Sequence, residues 1–131
     1  MKNEKLISIV IPIYNGAKYI SNIYTNIMNQ TYRPIELIFV NDGSKDDSEN
    51  VLKDIVKMHN CKSEIKIIIL SGPNGGIAVA RNRGMAASTG EYVMFADQDD
   101  WLEKDCVEKL MQVADLTDAD MVIWRLISSA S

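Results

Sequence analysis

Four apolar runs, at residues 6–13, 35–40, 65–70 and 92–96, alternate with stretches of helical period, and this alternation is what most restricts the fold. After the first run, Tyr19, Ile20, Ile23, Tyr24, Ile27 and Met28 recur at helical spacing, and that helix is predicted to end near Gln30-Thr31, ahead of Pro34. Asp46 and Asp47 open a second helix with Val51, Leu52, Ile55 and Val56 on one face, and His59 at its exit reads as a solvated side chain. A third helix carries Ile77, Ala80, Arg81 and Met85. Gly84 in its interior costs about 1 kcal/mol relative to alanine, which points to close packing or the close approach of a ligand. A fourth helix is expected from about Leu102 to Thr117 with Cys106, Leu110 and Val113 inward, and residues 121–124 are expected as a short fifth strand. Strands alternating with helices predict an α/β fold: a mostly parallel sheet, helices on both faces, right-handed crossovers.

Ligands on such sheets bind outside the carboxyl ends of the strands. The unusual residues fall at those ends: Tyr14-Asn15, Asn41-Asp42-Gly43, Ser71-Gly72 and Asp97-Gln98-Asp99. The last group is the most distinctive, because a buried strand empties onto three carboxylates within four positions. Asp97 and Asp99 stand two apart, so in an extended loop they share a face and can offer oxygens to one hard cation such as Mg²⁺ or Mn²⁺. Asp100 lies three residues before Glu103, a spacing that also fits a helix N-cap with its capping-box acid.

The composition bounds the partners. At 131 residues with 47% hydrophobic and 24% charged residues, the chain is expected to form one domain, 1–131, with a real core. Its formal charge of −4 and the lack of a basic stripe argue against a nucleic-acid partner, and a diphosphate ligand would need help from a metal. Cys61 and Cys106 are in no metal or redox spacing, and the apolar run at residues 6–13 is too short to span a bilayer, so the cytoplasm is the expected compartment. Neither G-x-G-x-x-G nor G-x-x-x-x-G-K-[ST] occurs, so dinucleotide-binding and P-loop readings lack their phosphate cradle. Receiver domains and aspartate-nucleophile phosphatases want acids after the first strand, where this chain has Tyr14-Asn15.

The residues in order are Ser8-Ile9-Val10-Ile11-Pro12-Ile13-Tyr14-Asn15, Gln30-Thr31-Tyr32 and Glu36-Leu37-Ile38-Phe39-Val40-Asn41-Asp42-Gly43-Ser44-Lys45-Asp46. Then come Asn74-Gly75-Gly76, Ala80-Arg81-Asn82-Arg83-Gly84, Gly90-Glu91-Tyr92 and Asp97-Gln98-Asp99-Asp100. Together they resemble the family 2 glycosyltransferases of the GT-A, Rossmann-like fold. The resemblance implies a nucleotide-binding set of Pro12, Tyr14, Asn15, Asp42, Gly43, Arg81 and Asp97. Tyr14 would lay its ring on the base, and Asp42 would accept a hydrogen bond from the imide edge of uracil or thymine. Asp97 would reach the ribose hydroxyls or the metal, and Asp99 would hold Mn²⁺ or Mg²⁺ on the donor diphosphate. Arg81 would assist at the diphosphate or serve as an ion-pair partner within the fold; for Asn15 and Gly43 a plain turn role stands beside the ligand role.

This resemblance implies the donor-binding part of an inverting, metal-assisted hexosyltransferase, taking a UDP-sugar first and a glycan or lipid-linked acceptor, at the inner face of the membrane in a full-length protein. Two departures stand out. Asn41-Asp42-Gly43-Ser44 replaces the common Asp-Asp-Gly-Ser, and the chain stops at Ser131, before the acceptor-binding half in which the family keeps its general base. The isolated chain is therefore expected to bind donor and transfer poorly. Two other classes remain: a sugar-nucleotide pyrophosphorylase, for which Asn15-Gly16-Ala17-Lys18 lacks the glycine- and arginine-rich turn, and a nucleotide-binding or interaction module without catalysis. Met121 to Trp124 with Leu126-Ile127 leads to a last expectation, self-association into a homo-oligomer through this segment or loss of order from about Arg125 onward.

Overall fold

Alternation along the strands sorts the core into two layers. The structure, a computed structural model, describes residues 4–59 and 63–117. In β1 (Ile7–Ile13) the isoleucines at 7, 9, 11 and 13 face one side of the sheet and Val10 faces the other. β2 (Ile35–Asp42) is buried along its whole length, as a central parallel strand must be, while β3 (Ile65–Gly72) is half-exposed and β4 (Tyr92–Phe95) is only four residues long. The order is β3-β2-β1-β4 with every pair parallel, and Ile7 lies in register with both Ile35 and Tyr92.

The helices follow from this order. α1 (Ala17–Met28) and α2 (Ser48–Met58) carry the chain outward from β1 to β2 to β3, and both pack on the isoleucine face through Ile20, Ile23, Ile27, Leu52 and Ile55. α3 (Ile77–Ala87) must bring the chain back across the sheet to β4, and a right-handed crossover in that direction puts it on the other face. It sits there on Val10, Ile38 and Val40 through Ala80. Gly84 of α3 is buried for the same reason: a Cβ would overlap Val10 and lie 3.1 Å from Cγ2 of Val40. Of the two roles expected for this glycine, close packing is the one observed. α4 (Cys106–Thr117) joins α1 and α2 on the isoleucine face.

A buried carboxylate pins the return from α3 to β4. Glu36, 1% exposed on β2, accepts hydrogen bonds from the Ser8 hydroxyl (2.7 Å), the Thr89 N–H (2.8 Å) and the Thr89 hydroxyl (2.7 Å), and Ser8 Oγ accepts the Gly90 N–H at 2.9 Å. Burial works against its charge, but these donors and Lys66 outweigh burial and hold the carboxyl below its ordinary range.

Several helix details differ from the sequence reading. α4 begins at Cys106 rather than near Leu102 because α1 captures the preceding segment. The Asn26 amide pairs with both peptide groups of Leu102 (2.8 Å each way), and Gln30 Nε2 donates to Glu103 O (2.8 Å) while its Oε1 accepts the Val107 N–H (3.1 Å). The Leu102 peptide groups, both bonded to the Asn26 side chain of α1, are withdrawn from helical pairing. The inward face of α4 is Cys106, Val107, Leu110, Met111 and Ala114, whereas Val113 is 40% exposed; Val56 is likewise exposed on the outer flank of α2. His59 is not a solvated side chain: its Nδ1 pairs with the Tyr24 hydroxyl at 2.9 Å and its Nε2 with the Ile65 carbonyl. Burial pushes the Cys106 thiol up to about 11. The expected fifth strand, the segment around Trp124 and Ile127, and Cys61 lie outside the described residues.

Candidate functional site

The chain steps outward from β1 through β2 to β3 and then jumps to the far side of β1, so the order reverses between β1 and β4. A parallel sheet opens its binding crevice at such a reversal, outside the carboxyl ends. The loops leaving β1 and β4 are Tyr14-Asn15-Gly16 and Asp97-Gln98-Asp99-Asp100.

The β1 loop is built on its neighbour. Asn15 takes the left-handed conformation (φ 47°), donates its N–H to Ser44 Oγ (3.0 Å) and accepts the Lys45 N–H on Oδ1 (2.8 Å). The Gly16 N–H donates to Ser48 Oγ (3.0 Å) and the Ala17 N–H to Asp46 Oδ2 (3.1 Å), so a side chain from the β2–α2 turn satisfies the first N–H of α1. The Ser48 hydroxyl, bonded to the other oxygen of Asp46, leads the donors that hold this carboxyl below its ordinary range. These bonds leave the Tyr14 ring half out in solvent, at 43% exposure, at the mouth of the crevice. Pro12 is half-buried in β1 opposite Val40.

Asp42, at the end of β2, is buried. Its Oδ1 accepts the Gly75 N–H (2.9 Å) and its Oδ2 the Gly76 N–H (3.1 Å), with Arg83 Nη1 at 4.0 Å. One carboxylate thus fastens the glycine turn that follows β3. Gly43 (φ 69°) lies directly under that turn, where a Cβ would be 2.5 Å from the Asn74 nitrogen. A cleft of about 460 Å³ opens beside it, lined by Asn41, Gly43, Ser44, Glu49, Asn50 and Gly72.

On the other side of β1 the three acids converge. Asp97, Asp99 and Asp100 each bring one carboxylate oxygen within 4.8 Å of the others, a set that can hold a hard divalent cation. The Asp100 carboxylate accepts the Asp97 N–H, so it closes this loop and does not cap α4, which begins six residues later. Arg81 of α3 stands over the Phe95 ring with its guanidinium carbon 5.8 Å from the centroid, and its Nη2 is 3.5 Å from Asp97 Oδ1. Arg81 Nε is buried without a hydrogen-bond partner.

Gln98, to which the sequence reading gave no role, joins the two loops. Its Oε1 accepts the Tyr14 N–H (3.0 Å) and its Nε2 donates to the Tyr14 carbonyl (3.2 Å). Its position between two acids was the available signal, since an uncharged amide there has both a donor and an acceptor to offer. Asp46 and Ser48 were missed as a pair; the Asp-x-Ser spacing at the start of a helix was their mark.

The model of the family described as glycosyl transferase family 2 matches residues 8–129. The chain belongs to that family. Among relatives of this family 2 chain, glycosyltransferase GlyG of Streptococcus pneumoniae is 38% identical over 92% of the chain and 38% of its own length. Glycosyltransferase GlyA of the same organism is 36% identical over 93% of the chain and 17% of its own length. Two solved structures share the sheet. Mannosyltransferase PcManGT of Pyrobaculum calidifontis, in complex with GDP-Man and Mn²⁺, superposes with a TM-score of 0.78 at 21% identity, over 86% of this chain and 33% of that one. TarS of S. aureus in complex with UDP-GlcNAc gives 0.73 at 26% identity, over 87% and 32%. The family 2 chain described here thus spans about a third of each of these structures. Its fold is the GT-A type, α/β with a parallel sheet covered on both faces.

Proposed function

We propose that this chain is the donor-binding part of a glycosyltransferase that takes a sugar from a nucleoside-diphosphate sugar, a UDP-sugar first, with help from Mn²⁺ or Mg²⁺. One observation carries the reading: at the reversal point of the sheet, three carboxylates that can share a cation lie on a loop hydrogen-bonded to the turn that bears an exposed aromatic ring. A nucleoside diphosphate has the matching parts, a flat base for Tyr14 and a charged diphosphate that binds through a bridging cation.

In this reading Asp99, the exposed acid, and Asp97 hold the cation, and Arg81 adds positive charge beside them as the diphosphate leaves. Asp42 holds the Gly75-Gly76 turn, and the remaining lone pairs of its oxygens would accept a base imide N–H. Asn15, Gly43 and Pro12 shape the backbone against which the nucleoside lies. The reaction is proposed to be an inverting single displacement onto a glycan or lipid-linked acceptor at the inner face of the membrane, with the general base outside the described residues. PcManGT in complex with GDP-Man and TarS in complex with UDP-GlcNAc support a nucleotide-sugar donor.

Calorimetric titration of the chain with UDP, GDP and their sugars, with and without Mn²⁺, tests the proposal. Tight binding of one nucleotide only when the metal is present is expected. Nucleotide binding that is the same with and without Mn²⁺, or no binding of any of them, would leave the carboxylates without this role.

A further inference from the structure

The acidic loop is fastened at both ends by a side-chain amide. At its far end Asn26, buried in α1, pairs with both peptide groups of Leu102. At its near end Gln98 pairs with both peptide groups of Tyr14, the two-bond match that a neighbouring strand would make. The Asn26 tie runs to the buried face of α1. The Gln98 tie instead runs between two loops at the crevice, one carrying three carboxylates and the other an exposed ring.

We propose that Gln98 is a positioning residue that couples the two halves of the donor site, so that a nucleobase on Tyr14 and a divalent cation on the carboxylates each favour the same loop arrangement and raise each other's affinity. The proposal rests on the donor-site reading above. Gln98 touches neither ligand; its amide fixes the Tyr14 peptide groups relative to the backbone between Asp97 and Asp99. Coupling through a shared element must act in both directions.

Gly16 gives independent access to this joint. Its backbone (φ −108°, ψ 21°) suits any residue, yet the three atoms nearest to a Cβ there all belong to the Gln98 amide, with Cδ at 2.8 Å. Gly16→Ala therefore displaces the Gln98 amide with no substitution in the acidic loop itself, and Gln98→Ala removes the atoms that the new methyl would meet.

The test uses a nucleoside, uridine or guanosine as the nucleotide titrations select, because it has no phosphate to bridge to the cation. Mn²⁺ affinity is read from the electron paramagnetic resonance signal of the free ion, with and without saturating nucleoside. In the unaltered chain the nucleoside is expected to tighten Mn²⁺ by about fivefold, the lower end of the range for coupled sites. Gln98→Met, Gln98→Ala and Gly16→Ala are expected to bring the ratio to near one while still binding Mn²⁺ and melting cooperatively, and the Gly16→Ala/Gln98→Ala double variant to match Gln98→Ala alone. A ratio unchanged in Gln98→Met, or additive losses in the double variant, overturns the coupling and leaves the donor site standing. An unaltered chain that binds no Mn²⁺ overturns both.

Discussion

Asp100 accepts the backbone N–H of Asp97 at 2.7 Å and donates its own N–H to the Asp97 carbonyl at 3.1 Å, a reciprocal pair that folds the acidic loop into a closed turn. The three neighbouring carboxylates therefore differ in duty. Asp100 is partly used in holding the turn, Asp97 lies against Arg81, and Asp99 is exposed. Asp99→Ala should abolish the metal dependence of nucleotide binding with little change in melting temperature, since exposed side chains away from structural bonds shift stability by about 0.5 kcal/mol or less. Asp100→Asn keeps an oxygen for the Asp97 N–H but loses the charge, and should weaken Mn²⁺ by roughly tenfold or more. Titration calorimetry with Mn²⁺ and UDP distinguishes the two; identical behaviour of both variants contradicts the division of duties.

Asp42 should matter for stability as well as for binding. Asp42→Ala removes the charged acceptor of the Gly75 and Gly76 N–H groups on an exposed turn, a loss of about 1.5–3 kcal/mol for hydrogen bonds to a charged group. Urea denaturation gives the value. If stability is unchanged while UDP affinity falls, the carboxylate acts on the base alone and the turn finds other support.

Glu36 predicts an acid limb. Its folded pKa lies below the unfolded value of about 4.5, so its stabilising share is fully present above that pH and is lost as pH falls through the lower, folded value. Glu36→Gln should therefore be less stable than the unaltered chain at pH 7, with the gap narrowing below about pH 4.5. Urea midpoints measured from pH 7 to pH 3 are the check, and a gap that stays constant with pH would assign the effect to packing.

Gly84→Ala should destabilise by about 1–3 kcal/mol, the usual penalty for an added methyl in a packed core, because Val10 occupies the space. Val10→Ala in the same chain should recover part of the loss, and a double-variant cycle measures how much. Full additivity would mean that α3 rides up on the sheet without repacking.

The layer plan was legible because it is written in period. Isoleucines two apart in the strands and Ile20, Ile23 and Ile27 in α1 can satisfy only one arrangement, and the turn residues at the strand ends marked the crevice. The beginning of α4 was not legible. Its delay is caused by Asn26 and Gln30, 76 and 73 residues away from their partners Leu102 and Glu103, and nothing local to residues 102–105 announces it. The clue lay elsewhere, in Asn26 on the otherwise apolar face of α1 and in Gln30 just beyond its end. Val56 and Val113 misled for a related reason: helical spacing puts them near the apolar stripe, but each lies at the flank where the sheet no longer covers it. His59 pairs through one nitrogen with Tyr24, 35 residues away, which a reading of its neighbours could not reveal.

The reversal between β1 and β4 also sets the order in which the molecule can be assembled. Ser8 and Glu36, neighbours across β1 and β2, are 28 residues apart, whereas Tyr14 and Gln98 are 84 apart. Tripling the length of a loop adds about 0.6–1 kcal/mol to the entropy of closing it. That penalty slows the docking of β4, which has only four residues of pairing to offset it. The β1–β2 pair can form early; the acidic loop takes its shape only after the chain has crossed the whole sheet and returned. In a refolding experiment, cation uptake would then report the last docking step, lagging behind the signal from helix formation.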